Sequence, residues 1–111
     1  MTLRQTDNYM RACMKSWLLC EACVHSEKET LLPDEKFIKI FSDCAQSCLT
    51  IVSHFINETE TTQKVVFDCF LYCRKCYQEC MLHSEADIIY CGEVCNYCAD
   101  TIKELMFFNL N

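Results

Sequence analysis

Apolar and small positions recur along this chain in steps of three and four, with polar residues between them, and the pattern falls into four stretches. The first, about 3–26, carries a seam of Tyr9, Cys13, Ser16, Cys20, Cys23 and Glu27. The second, about 34–57, reads Phe37, Phe41, Cys44, Cys48, Ile51 and Phe55. The third, about 61–83, reads Val66, Cys69, Cys73, Cys76, Cys80 and His83. The fourth, about 85–108, reads Ile88, Cys91, Cys95, Cys98, Ile102 and Met106. Residues three and four apart share one face of an α-helix, so each stretch predicts a helix with one inward stripe.

The punctuation agrees. Polar Ser26–Thr30 leads out of the first helix, and Pro33, Asp34 and Glu35 suit the first turn of the second. The segment Asn57–Thr62 is rich in N-cap residues, and Ser84–Asp87 resembles a capping box. Helices of about 22–24 residues are about 33–36 Å long. Short connections make neighbours antiparallel, and the expected fold is all-α: an antiparallel up-down-up-down four-helix bundle with a cysteine-lined core, one domain over 1–111.

This topology carries a consistency test. Take the end holding the first and third connections as the top. Cys13 and Cys98 then lie about 13 residues from that end, and Cys48 and Cys69 about 14. All four thiol ladders stop at one level, about 20 Å down. Below it the seams turn apolar with Met10, Ile51, Phe55, Val66, Ile102 and Met106, and Phe67, Phe70, Phe107 and Phe108 lie near. The expected object is a tube of thiols with an apolar plug, partly closed at the top by Phe37 and Phe41. Met10 and Met106 are soft donors, but packing explains them better.

Composition sharpens the chemistry. Twelve cysteines with one glycine and one proline in 111 residues exclude a loop-rich disulfide scaffold. The N-terminal Met-Thr-Leu-Arg-Gln-Thr-Asp-Asn has no apolar leader, and no run is long enough to span a membrane. A reducing cytoplasm is the expected compartment. The net charge of −6 without a basic run argues against nucleic acid.

Thiols fill volume poorly compared with Leu and Ile, so twelve of them on matching seams need a chemical reason. That reason is metal. Thiols at i and i+4 have Cβ atoms about 5–6 Å apart, and a metal–sulfur bond of about 2.3 Å lets a two-sulfur site span Cys44/Cys48, Cys69/Cys73, Cys76/Cys80 or Cys91/Cys95. Copper(I) selects thiolates. One ion per bridging thiolate leaves a neutral interior, whereas zinc prefers discrete tetrahedra and iron–sulfur clusters use a spacing absent here. The expected ligands are Cys13, Cys20, Cys23, Cys44, Cys48, Cys69, Cys73, Cys76, Cys80, Cys91, Cys95 and Cys98, with His83 at the open top. His25 reads as a helix-end residue and His54 as structural.

The run Cys69-x3-Cys73-x2-Cys76-x3-Cys80-x2-His83 followed by Cys91-x3-Cys95-x2-Cys98 resembles the bacterial copper storage proteins, and the resemblance covers nearly the whole chain. It implies a bundle whose lumen binds many copper(I) ions, mostly as two-thiolate sites, a cytoplasmic location and a tetramer. Ser16, the short ladder of the second helix and Ile102 imply a lower capacity than the densest members. The expected function is copper(I) storage without catalysis, with a copper chaperone or small chelator delivering the ion and no membrane or nucleic-acid partner. The alternatives are a thiol-redox protein and a zinc or iron–sulfur protein with a few sites.

Overall fold

The computed structural model describes residues 3–107. Four helices follow in order: α1 (Leu3–Lys28), α2 (Glu35–Ile56), α3 (Gln63–Cys80) and α4 (Ala86–Lys103), then a 3-10 turn over Glu104–Phe107. α1 packs on α2 and α4, and α3 packs on the same two, which makes a square bundle. The pairs Tyr9 with Phe55 and Ser16 with Cys44 run antiparallel between α1 and α2. Cys48 with Cys69 and Phe37 with His83 do the same between α2 and α3. The result is a rod of 45 × 21 × 21 Å.

Caps explain the helix starts. The Asp34 carboxylate accepts from the Lys36 and Phe37 N–H groups at 3.0 and 3.2 Å, and the Thr62 hydroxyl accepts from the Val65 N–H at 3.3 Å. α4 differs from the expected capping box: its N-cap is Glu85, whose side chain makes no cap hydrogen bond. α3 ends at Cys80, before His83. The Leu82 and His83 N–H groups donate to the Glu79 and Cys80 carbonyls at 3.1 Å. These short bonds use up the last carbonyls and turn the chain. Across the α3–α4 seam, Arg74 donates to the Asn96 side-chain oxygen and, at 2.6 Å, to Asp100.

The apolar plug forms as layers below the thiols. Ile51, Val66 and Ile102 have no exposed surface, and Tyr9 and Leu105 lie beneath them. A step of three from Ile102 continues the alternation of Cys91, Cys95, Cys98 and Ile102, so Leu105 follows Ile102 into the core. Met106, expected on the seam, packs at its edge. Met10 sits there too, while Phe67 and Phe107 face outward and Phe108 lies outside the described residues. The buried Tyr9 hydroxyl donates to Glu104 at 3.1 Å. Burial and this carboxylate push its pKa up to about 12.

Candidate metal centre

The inward stripes meet as layers, one residue from each helix. Cys13, Cys48, Cys69 and Cys98 make the lowest thiol layer. Cys48 Sγ lies 3.7 Å from Cys69 Sγ, and Cys98 Sγ 3.8 Å from Cys13 Sγ. The four ladders therefore end side by side, at the level that helix lengths and connections imply. Above them stand Ser16, Cys44, Cys73 and Cys95, then Cys20, Cys76 and Cys91 with Phe41. Cys23, Cys80 and Phe37 line the top.

Sulfur fills the lumen across its full width. Cys20 on α1 reaches Cys76 on the diagonal helix α3 at 3.8 Å. Cys44 on α2 reaches Cys95 on α4, also at 3.8 Å. Only side chains projecting to the bundle axis can meet along both diagonals. Spacing along one helix suggested i, i+4 pairs, and Cys69 with Cys73 is such a pair at 4.0 Å. Most of the other close contacts run between helices, because four stripes converge on one axis.

Two sets of four thiols converge most tightly: Cys20, Cys76, Cys91 and Cys95 above, and Cys48, Cys69, Cys73 and Cys98 below. Within each set all sulfurs lie within 4.8 Å of one another. All twelve cysteines are free thiols, and every one except Cys23 is buried. Apart from the thiols and the Tyr9 hydroxyl in the plug, Ser16 is the one buried polar or charged side chain among the described residues. No lysine, arginine or carboxylate therefore reaches the lumen.

That surrounding sets the acid–base behaviour. Cys13, Cys44, Cys73, Cys76 and Cys91 are held above the ordinary thiol range, because hydrogen bonds within the cluster and then burial favour their S–H form. Their neighbours receive those bonds. Cys69 is lowered to about 6, chiefly by Cys13, and Cys80 to about 5, chiefly by Cys76. Cys48 and Cys95 shift downward for the same reason, led by Cys13 and Cys20 respectively. The thiols titrate as one coupled network rather than one by one.

His83 stands at the mouth, on the turn after α3. Its ring meets Phe37 edge-on at 5.4 Å. Nε2 lies 3.1 Å from Glu79 Oε2 and Nδ1 3.5 Å from Glu85 Oε2. Both nitrogens thus face carboxylates, and His83 belongs to neither four-thiol set. Phe37 stacks on Phe41 at 4.1 Å and closes the α2 side. Beside it lies a pocket of about 250 Å³ lined by Cys23, Glu27, Phe37, Asp87 and Ile88 among others. It leads to the half-buried thiol and is fringed by carboxylates. His25 pairs with Glu29 at 3.2 Å on the surface, and His54 Nδ1 meets the Thr59 hydroxyl at 2.7 Å.

One residue important to this geometry had no role in the seam pattern. Gly92 is buried between α3 and α4. A Cβ there would lie 2.5 Å from Cys80 Cβ and 3.2 Å from its sulfur. The single glycine of the sequence, inside a helical stretch beside Cys91, was the available signal. Its missing side chain lets the helix carrying Cys91 approach Cys80. Gly92→Ala is expected to push the two helices apart and cost about 1–3 kcal/mol, despite alanine's better helix propensity. Thermal unfolding of the reduced, metal-free variant measures this, and a midpoint at or above wild type would show that the close approach is dispensable.

The lumen is suited to soft, positively charged ions. Its sulfurs are close enough to share an ion, and it offers no hard oxygen ligand except Ser16. The copper storage protein family matches residues 2–107. No curated protein shows significant similarity to the sequence. Among solved structures, the Cu(I)-bound copper storage protein BsCsp3 superposes with a TM-score of 0.83 over 92% of this chain and 98% of that one, at 19% identity. That likeness concerns the fold, and the family pattern concerns the sequence. Since the pattern runs from residue 2 to residue 107 around a lumen of twelve thiols, this chain belongs to the copper storage protein family.

Proposed function

We propose that the chain is a single-domain copper(I) store that carries several ions in its lumen and catalyses no reaction. The ligands are the twelve thiols Cys13, Cys20, Cys23, Cys44, Cys48, Cys69, Cys73, Cys76, Cys80, Cys91, Cys95 and Cys98, with His83 as a ligand at the mouth. One observation carries the reading: thiols line successive layers of the lumen, with Ser16 in one of them, and no lysine or arginine is buried there among the described residues. One copper(I) per bridging thiolate leaves such a column neutral.

A zinc reading has a specific observation in its favour. A tetrahedron with bonds of about 2.3 Å has sulfur–sulfur edges of about 3.8 Å, close to the 3.5–3.8 Å from Cys20 to its three partners. It fails on charge. Each zinc tetrathiolate would bury two uncompensated negative charges, and Cys13, Cys23, Cys44 and Cys80 would have no part. The redox reading lacks an isolated accessible thiol pair.

The cytoplasm is the proposed location, in keeping with twelve free thiols, and no helix is long and apolar enough to cross a membrane among the described residues. Delivery by a copper chaperone or chelator at the mouth, and assembly of copies into a tetramer through faces such as those bearing exposed Tyr72 and Tyr97, belong to the same proposal.

The experiment is an anaerobic titration of reduced protein with copper(I) against a chromophoric chelator. Uptake approaching the twelve cysteines per chain, with helicity kept, is expected. Saturation at two ions, or zinc displacing copper, would overturn bulk storage. His83→Ala is expected to slow uptake and leave the final capacity within about one ion, since His83 lies outside both thiol sets. An unchanged rate would remove His83 from the pathway.

A further inference from the structure

Ser16 stands within the sulfur column with none of its surface exposed. Its Oγ lies 3.2 Å from Cys95 Sγ, 3.8 Å from Cys44 Sγ and 4.0 Å from Cys73 Sγ. A thiol here would complete a layer of four. The hydroxyl cannot take that part. It is a hard donor that stays protonated, and copper(I) prefers thiolate.

Its position matters more than the missing ligand. The layer of Ser16 is where the two four-thiol sets meet. Cys95 belongs to the upper set and Cys73 to the lower. With Ser16 in place of a thiol, Cys44 is the sulfur of that layer which joins them, 3.8 Å from Cys95 and 3.7 Å from Cys73. A sulfur bridging two ions has its charge shared between them. One at the end of a run of ions keeps part of its charge, and in an uncharged lumen that charge needs a hydrogen-bond donor. The Ser16 hydroxyl, 3.2 Å from Cys95, is such a donor.

We propose that Ser16 divides the store into two compartments that fill as separate units, an upper one built on Cys20, Cys76, Cys91 and Cys95 and a lower one on Cys48, Cys69, Cys73 and Cys98. The division rests on the copper(I) reading above and assigns Ser16 a positioning role: it ends one run of ions and stabilises the terminal thiolate. No bond is made or broken at its oxygen. Ions enter as copper(I) and each thiol proton leaves to solvent.

The test is native mass spectrometry of reduced protein at rising copper(I) without oxygen, with alkylation mapping of the cysteines at half saturation and helicity measured throughout. Wild type is expected to fill in two steps, and the half-loaded form to protect one set of four cysteines together. Ser16→Cys is expected to bind one more ion per chain and to merge the steps. Ser16→Ala is expected to keep the ion count and both steps, with the affinity of the upper compartment several-fold weaker because Cys95 has lost its donor. Single-step filling of wild type with protection spread evenly over both sets would overturn the division, as would a folded Ser16→Cys that still halts at half loading. Should Ser16→Cys fail to fold, the wild-type protection pattern and Ser16→Ala still decide. Absence of copper uptake by wild type is a different result, which overturns the storage reading and this inference with it.

Discussion

Filling the lumen with copper(I) is expected to raise the midpoint of thermal unfolding by more than about 20 °C. An ion bound only by the folded chain adds about 4 kcal/mol when its free concentration is a thousand times its dissociation constant, and for a chain of this size each kcal/mol moves the midpoint by about 4–8 °C. Several ions per chain exceed that threshold together. The metal-free bundle has little to set against them. Its central layers bury small thiols where Leu or Ile would contribute more apolar area. Its larger buried side chains, Tyr9, Ile51, Val66, Ile102 and Leu105 among them, lie at one end with Phe41 near the other. Removing copper with a strong chelator should return the loaded protein to the metal-free midpoint. Unfolding followed by circular dichroism on reduced metal-free and loaded protein decides the matter. Equal midpoints would mean that copper binds outside the lumen or binds the unfolded thiols as well as the folded ones.

Acid is expected to empty the store. Hydrogen bonding and burial raise Cys13, Cys44, Cys73, Cys76 and Cys91 above the ordinary thiol value of 9.0, so they hold their protons at neutral pH until metal displaces them. The loaded state thus binds fewer protons than the free state, and falling pH favours the free state. Affinity should drop about tenfold per pH unit for each proton displaced. An ion held by two of these raised thiols should lose about a hundredfold per unit, and one that pairs a raised thiol with a lowered one such as Cys69 or Cys80 about tenfold near neutral pH. Proton release in weak buffer, followed ion by ion, would show about two protons for an ion on two raised thiols and about one for an ion that takes a raised and a lowered thiol. An affinity flat from pH 7 to pH 5 would contradict the protonated lumen. The metal-free bundle behaves oppositely through the same five thiols. A raised thiol contributes stability that is present below its unfolded value near 9 and is lost as pH rises through the folded value. The metal-free protein should therefore loosen in alkali, while the loaded protein releases its cargo in acid.

Both expectations depend on a register that was partly legible in the residues. Steps of three and four, with the helix lengths, put Cys13, Cys48, Cys69 and Cys98 at one depth, and the sulfur contacts at 3.7 and 3.8 Å between them follow from that depth. The plug was legible in the same way through Ile51, Val66 and Ile102. The helix ends were less so. His83 is in phase with Cys80, yet the chain needs residues 81–85 to reverse direction, and no periodicity counts the residues that a turn consumes. Leu105, and not Met106, completes the base because Ile102 to Met106 is a second step of four in succession, whereas a step of three keeps the face that Cys98 and Ile102 share.

The residues alone thus specify the axial features: four helices, their inward stripes, the depth at which thiols give way to apolar side chains, and the soft chemistry of the interior. These follow from helix periodicity and residue type, which act within one segment. Only the tertiary structure decided what is lateral. It set Ser16 against Cys95 between two four-thiol sets, made Cys44 the sulfur between them, let Gly92 bring α4 onto Cys80, and gave His83 to Glu79 and Glu85. The physical reason is that a helix fixes the height and direction of each side chain, while the distance across the lumen depends on how closely four helices pack, and that is set by all of their contacts together.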